Sequence, residues 1–299
     1  MNYFDFDINN WKDWGKVFHS KEEFGKLIYH IFEIENMPKI KQISDLTPGT
    51  NAVFKVDDKV VKIFVPDAAG YDSERDFAIE SYGMKFAVAQ GIPVPKLVAD
   101  GIVRDKYNFR YMIMDYIEGH AFTDEFDASL TYEEKYNIGE KFADIKSKLN
   151  IPCDKFCGID IIERAVTNER WDKYPDSFNV ERINYLKNYT IRNPVYVHGD
   201  INPDNIIFGD DGAMYLIDFA DACIAPALYE LAPLICEFFE FDSAYLDGYG
   251  NVSAEDLAES ILIHDFGGDI LANNCGLRKE FTSLDVLYER IKVKLCRHQ

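Results

Sequence analysis

The chain has 299 residues, 47% of them hydrophobic and 14% aromatic, which is too many for a disordered polypeptide. Its 52 Asp and Glu outnumber 32 Lys and Arg, for a net charge of −20. That balance excludes nucleic acid as the expected partner, because phosphate backbones need a basic footprint, and no basic amphipathic stretch marks a membrane surface. The six cysteines form no C-x-x-C pair and read as reduced, mostly buried thiols. The acidic N-terminus lacks a cationic flank before an apolar core, and no apolar run approaches the roughly 20 residues of a spanning helix. A cytoplasmic protein is the expectation.

The charge is uneven. Residues 1–117 carry 15 Lys and Arg against 18 Asp and Glu, whereas residues 118–270 carry 11 against 31. The shift near 118 suggests a boundary there.

Along the chain, Ser20-Lys-Glu-Glu23 is a capping-box pattern, and Phe24, Leu27, Ile28, Ile31 and Phe32 follow at helical spacing. This helix should stop before Met37-Pro38. Residues 40–46, 52–56 and 60–65 read as strands, the last two joined by a tight turn at Asp57-Asp58. A helix is expected over about 71–90, closed by GIPVP at 91–95, with strands at 97–103 and 109–114. Together these predict a five-stranded antiparallel sheet with one helix. After Gly119 the pattern turns helical, with periodic segments at 132–149 and 180–189 and helix again from 228 to 296. One β-rich island interrupts it, with strands at 195–197, 205–208 and 214–217. The fold class is α+β, a small sheet lobe followed by a larger helical lobe. Residues 1–36 form a helical extension expected to pack on the first lobe, with a dimer contact as the alternative. Nothing in the sequence specifies an oligomeric state.

The island contains His198, Asp200 and Asn205 in the spacing H-x-D-x-x-x-x-N, and Asp218 follows thirteen residues after Asn205 in Ile-Asp-Phe. A loop carboxylate at 200 can accept a hydroxyl proton. The Asn205 amide oxygen and the Asp218 carboxylate are hard oxygen ligands that suit Mg²⁺ completed by water and phosphate.

HGDINPDN at 198–205 resembles the catalytic loop of the aminoglycoside phosphotransferase and choline kinase-like family, which has the protein-kinase-like fold. Ile217-Asp218-Phe219 resembles its metal-binding motif, and the resemblance covers roughly residues 40–270. It implies a two-lobed protein-kinase-like fold, with residues 37–117 as the nucleotide-binding lobe and 118–299 as the catalytic and substrate-binding lobe. It also implies ATP or GTP and Mg²⁺ as cofactors, Asp200 as base or hydroxyl orienter, and Asn205 and Asp218 as metal ligands. His198 would brace the loop. Lys62 would reach the α- and β-phosphates and pair with Glu80, with Glu74 as the fallback. The turn Thr47-Pro48-Gly49-Thr50-Asn51 resembles the family's phosphate-covering turn, which places Thr50 and Asn51 on the nucleotide. The main chain of Asp115 and Ile117 would read the purine edge at the hinge, with Met114 behind it. Where the family has D-P-x-x-D-L-A, residues 225–232 keep a carboxylate at Glu230.

These readings imply a small-molecule kinase moving a γ-phosphoryl group to a hydroxyl of a cationic acceptor. An aminoglycoside-like antibiotic is the first choice. Choline, homoserine, methylthioribose and fructosamine kinases are the rivals. A nucleotide-binding pseudokinase is the non-catalytic alternative, and a protein kinase is disfavoured because no A-P-E sequel follows Asp218. Residues 229–269 interleave acids with aromatics, so acids could hold a polyamine or aromatics a quaternary ammonium.

Overall fold

The computed structural model describes residues 2–47 and 49–296. A short helix, α1 (Trp11–Trp14), is capped by Asn10, whose side chain accepts from the Asp13 amide. Helix α2 (Lys21–Ile34) begins at Ser20, whose hydroxyl accepts from the Glu23 amide at 3.3 Å. Its stripe of Phe24, Leu27, Ile28, Ile31 and Phe32 is buried.

That stripe lies against a five-stranded antiparallel sheet: β1 (Ile43–Asp45), β2 (Ala52–Val56), β3 (Lys59–Ile63), β4 (Leu97–Arg104) and β5 (Asn108–Asp115), in the order β1-β2-β3-β5-β4. Phe54, Val56, Val61, Ile63, Phe109 and Ile113 form one core with the α2 stripe and with Phe4 and Trp14. Residues before the sheet are thus built into its hydrophobic core. Because side chains alternate along a strand, Lys62 leaves on the opposite face from Val61 and Ile63, opposite Met112 on β5. That second face looks toward α3 (Ser73–Ala89) and the helical half of the chain. The first strand is shorter than the sequence suggests. The amides of Lys41 and Gln42 donate to the Asp57 carboxylate at 3.1 and 3.0 Å, so a side chain takes the bonds a strand partner would have made.

Beyond the sheet come β6 (Gly119–Ala121), α4 (Asp124–Ser129), α5 (Tyr132–Leu149), α6 (Ile161–Thr167) and α7 (Asp176–Lys187). Then β7 (Val195–Val197), β8 (Ile206–Gly209), β9 (Met214–Leu216) and β10 (Cys223–Ala225) form two small sheets, β10-β7 and β6-β8-β9. The three-residue strands β6 and β10 are too short to leave a periodic signature. Helix α7 starts four residues before the expected 180, directly after Pro175. The helical end is not one run but α8 (Leu231–Pro233), a π-helical turn Leu234–Phe238, α9 (Ser243–Tyr249), α10 (Ala254–Ile263), α11 (Gly267–Asn274) and α12 (Leu284–Cys296). No helix among the described residues is long and apolar enough to cross a membrane.

Helices α5 and α9 cross through Gly139 and Gly248. A Cβ at Gly139 would stand 2.2 Å from the Tyr245 carbonyl oxygen, and one at Gly248 would stand 1.9 Å from that of Tyr136. Backbone cannot yield as a side-chain tip can. Gly139→Ala is therefore expected to cost about 1–3 kcal/mol of stability, read as a lowered urea midpoint with unchanged slope.

Candidate active site

Lys62 is buried on β3, and its ammonium meets Glu80 Oε2 on α3 at 2.6 Å and Asp218 Oδ1 at 3.0 Å. Burial alone would discharge the lysine, but the charges of Asp218 and Glu80 outweigh it and raise its pKa. Burial likewise opposes ionisation of Asp218, and Lys62 more than compensates, so that carboxyl is held below its ordinary value. Glu80 is pushed up to about 7 by burial, which Lys62 only partly offsets. Glu74 lies away from this pair, on Arg110 at 2.7 Å. Asp218 has φ 60° and ψ 73°, a left-handed conformation that aspartate tolerates better than most residues.

The segment between β7 and β8 carries the second group. His198 is fully buried, its Nε2 3.1 Å from the Ile217 carbonyl oxygen and its Nδ1 accepting from the Asp200 amide at 3.3 Å. Those partners call for the neutral tautomer protonated on Nε2. Burial pushes the ring's pKa down to about 4, so His198 is a brace rather than a base. Gly199 has φ +83°, and a Cβ there would stand 2.3 Å from the Asp221 carbonyl oxygen. No larger residue fits at this point. Beneath the loop, the buried Glu230 accepts from the amides of His198 and Gly199. The resemblance marks a retained carboxylate at Glu230, but which groups it holds was not legible in the sequence, since they are main-chain amides over thirty residues away.

Asp200 is half-buried and doubly oriented. Its Oδ1 accepts from the Asn202 amide and its Oδ2 from the Asn205 amide, each at 2.9 Å. Burial, then the charges of Asp221, Asp218 and Glu237, raise its pKa to about 8 despite the Asn205 hydrogen bond. Asn202 drew no attention in the sequence; its chemistry depends on the loop bringing its side chain back onto Asp200.

Thr50 and Asn51 line a small cavity of about 60 Å³ together with Tyr71, Arg75, Asp76, Arg164 and Asp218. The Asn51 side-chain oxygen is already committed to the Val65 amide at 3.1 Å, so it staples the turn. Pro48 of the expected phosphate turn lies outside the described residues. At the end of β5, the Asp115 side chain turns to Lys59 at 3.1 Å, and its amide donates to the Lys96 carbonyl. The main-chain groups of Ile117 have no hydrogen-bond partner among the described residues.

Three of the ten acids in 229–269 are paired with cations, and Glu240, Asp247, Glu255 and Asp256 are exposed. Asp242 meets Lys135, Asp265 meets Arg164, and Asp269 meets both Arg170 and Arg278. Glu237 differs in being half-buried with neither a cation within 4 Å nor a side-chain hydrogen-bond partner among the described residues. Burial, then Asp204 and Asp269, push it up to about 7. The aromatics there do not face a ligand. Tyr229, Phe238, Phe239, Phe241, Tyr245 and Tyr249 are all buried in hydrophobic core, which corrects the expectation that they could line a cation site.

Among the described residues no three His, Cys, Asp or Glu converge into a self-sufficient metal site. Mg²⁺ needs less, because one or two protein oxygens plus phosphate and water complete its shell. The donor chemistry here fits that pattern. Asn205 commits its Nδ2 to Asp200, which leaves its amide oxygen as a ligand, and Asp218 gives only one oxygen to Lys62.

Solved structures share this architecture. The chain resembles APH(2″)-IIIa in its GDP and kanamycin complex at 19% identity and TM-score 0.61, covering 88% of this chain and 95% of that one. Choline kinase LicA from Streptococcus pneumoniae is similar at 18% identity and TM-score 0.58, covering 91% and 99%. Amicoumacin kinase hAmiN, solved with AMP-PNP, Ca²⁺ and Ami, is similar at 16% identity and TM-score 0.52, covering 85% and 88%. No curated protein matches the sequence. A model of the phosphotransferase enzyme family matches residues 48–260, well over half of the sequence and spanning Lys62, Glu80, Asp200, Asn205 and Asp218, and the chain therefore belongs to that family, as a small-molecule kinase with an alcohol group as acceptor.

Proposed function

We propose that the protein transfers the γ-phosphoryl group of ATP or GTP to a hydroxyl of a cationic small molecule, with an aminoglycoside-like polyamine sugar as the leading acceptor. One observation carries the reading: an oriented Asp200 stands in the field of the unpaired Glu237, on the same loop as Asn205 and near the Lys62–Asp218 pair. Lys62 is the cation for the nucleotide phosphates, and residues 37–117 are the lobe that holds them. Thr50 meets the phosphates from the turn, and the main chain of Asp115 and Ile117 reads the base. Asn205 and Asp218 would hold Mg²⁺, which supplies neutralisation of charge on the phosphate oxygens.

Residues 118–299 hold the acceptor. Asp200 accepts the proton of the attacking hydroxyl or fixes its direction, the two asparagine amides keeping its oxygens in place. Glu237 binds an acceptor ammonium. The local excess of carboxylates over cations near Asp200 favours such a substrate, because each positive charge brought in relieves repulsion among Asp200, Asp218, Asp221 and Glu237. Burial of the aromatics in the 229–269 region favours a polyamine over a quaternary ammonium. Kanamycin in the similar APH(2″)-IIIa structure is a molecule of that first kind. The intact set of Lys62, Asp200, Asn205 and Asp218 speaks against a pseudokinase.

The experiment is a coupled nucleotide-consumption screen over aminoglycosides, choline and other hydroxylated amines, with both ATP and GTP. Asp200→Asn is expected to lower transfer by about 10²–10⁴-fold while nucleotide binding survives; retained turnover overturns the role. Because Asp200 must be ionised and its pKa is raised, kcat/KM for the acceptor should fall on acidification. The midpoint should lie at or below about 8, since bound magnesium draws it down. That limb should vanish from the residual activity of Asp200→Asn. Glu237→Gln should raise the acceptor KM about 10–100-fold and leave the nucleotide KM unchanged. An unchanged acceptor KM removes Glu237 from the site.

A further inference from the structure

The family match begins at residue 48, yet the segment before it reaches the nucleotide cleft. Trp14 is completely buried, and its indole N–H donates to the Thr50 carbonyl oxygen at 2.9 Å. Trp11, half exposed, stacks on Tyr71 with ring centroids 5.4 Å apart and planes inclined 26°. Thr50 and Tyr71 both line the small cavity that also contains Asp218. Helix α1 therefore touches two walls of the cleft, the phosphate turn and the approach to α3, which carries Glu80.

The segment is itself anchored. The Asp105 carboxylate accepts from the amides of Tyr3 and Phe4 at 2.9 Å, and the Tyr107 hydroxyl accepts from the Ile8 amide at 2.7 Å. Trp14 packs edge-on against Phe24 of α2 in the core of the sheet lobe. A donor held this firmly transmits position rather than following its partner.

The consequence for the turn follows from peptide geometry. In a trans peptide the carbonyl of one residue and the amide of the next point in opposite directions. No cis peptide occurs among the described residues. Fixing the Thr50 carbonyl on Trp14 therefore fixes the Asn51 N–H pointing away from Trp14. That amide has no hydrogen-bond partner among the described residues, and Asn51 lines the cavity. A single glycine, Gly49, would otherwise leave the peptide planes of this exposed turn free to rotate.

We propose that the N-terminal segment is a strap that positions the phosphate-binding turn, with Trp14 as the positioning residue acting through Thr50 and Trp11 steadying it on Tyr71. The inference rests on the nucleotide reading given above. It concerns the phosphates and not the base, so the test separates the two. Isothermal titration of wild type and Trp14→Phe compares AMP-PNP or GMP-PNP with Mg²⁺, whichever the protein binds, against the matching nucleoside. Trp14→Phe keeps a buried aromatic ring and loses the donor together with part of the indole's volume. Its affinity for the triphosphate analogue should fall about three- to tenfold while nucleoside affinity is unchanged.

Equal loss for both ligands, or none for the analogue, overturns the strap. Should Trp14→Phe not fold, Trp11→Ala serves, because its side chain is at the surface; the same phosphate-selective loss supports the strap and its absence overturns it. A wild type that binds neither analogue sinks the nucleotide reading itself, and the strap with it. Wild-type binding without a selective loss in the variant sinks the strap alone.

Discussion

One buried cation joins the two halves of this enzyme. Lys62 leaves the sheet on the face opposite the α2 core and ends between a carboxylate from α3 and another from the segment after β9. An isolated ammonium would be costly there, and a single buried carboxylate partner would return little beyond its own desolvation. Two carboxylates secure the charge but leave a local surplus of negative charge. The arrangement is consequently unbalanced in charge, which accords with the divalent cation and the polyanion proposed for it. Stability and readiness to bind come from the same three side chains.

The loop that carries Asp200 depends on a different device. Its main-chain amides at 198 and 199 are taken by a buried carboxylate, its histidine is held neutral between two backbone groups, and its glycine lies against the Asp221 carbonyl. None of these groups reaches outward. They fix where the loop sits, so that Asn202 and Asn205 can in turn fix the two oxygens of Asp200. Rigidity is delivered from the core outward, which suits a reaction in which positioning and charge neutralisation do most of the catalysis.

The net charge acquires a location. Some acids of the helical half meet nearby Lys and Arg and brace the fold, and many others lie at the surface, where they solubilise it. A smaller set around Asp200 has too few cations, and Glu237 stands out because it is half-buried with neither a cation nor a side-chain hydrogen-bond partner among the described residues. The aromatics that alternate with these acids pack inward on α5, α9 and one another. Alternation of acid and aromatic along this stretch therefore reports a helix surface with two faces, one wet and one packed, more than it reports a ligand cage.

Sequence by itself determined what is set by local covalent pattern. The periodicity of α5, the alternation of β2 and the antiparallel sheet were legible, as was the order of Lys62, Asp200, Asn205 and Asp218, because each depends on side-chain spacing a few residues long or on a motif. The three-residue strands β6 and β10 were not, since two or three residues carry no period and their pairing is wholly non-local. The role of Asn202 and the partners of Glu230 and Trp14 escaped for the same reason. Each acts through a main-chain or loop partner whose identity is indifferent to sequence and whose position exists only once the chain has folded. Tertiary structure alone decided that Glu237 is the half-buried acid left without a partner among the described residues, and that Trp14 reaches the Thr50 carbonyl. Those outcomes turn on which groups share a buried space, and burial is a property of the whole fold.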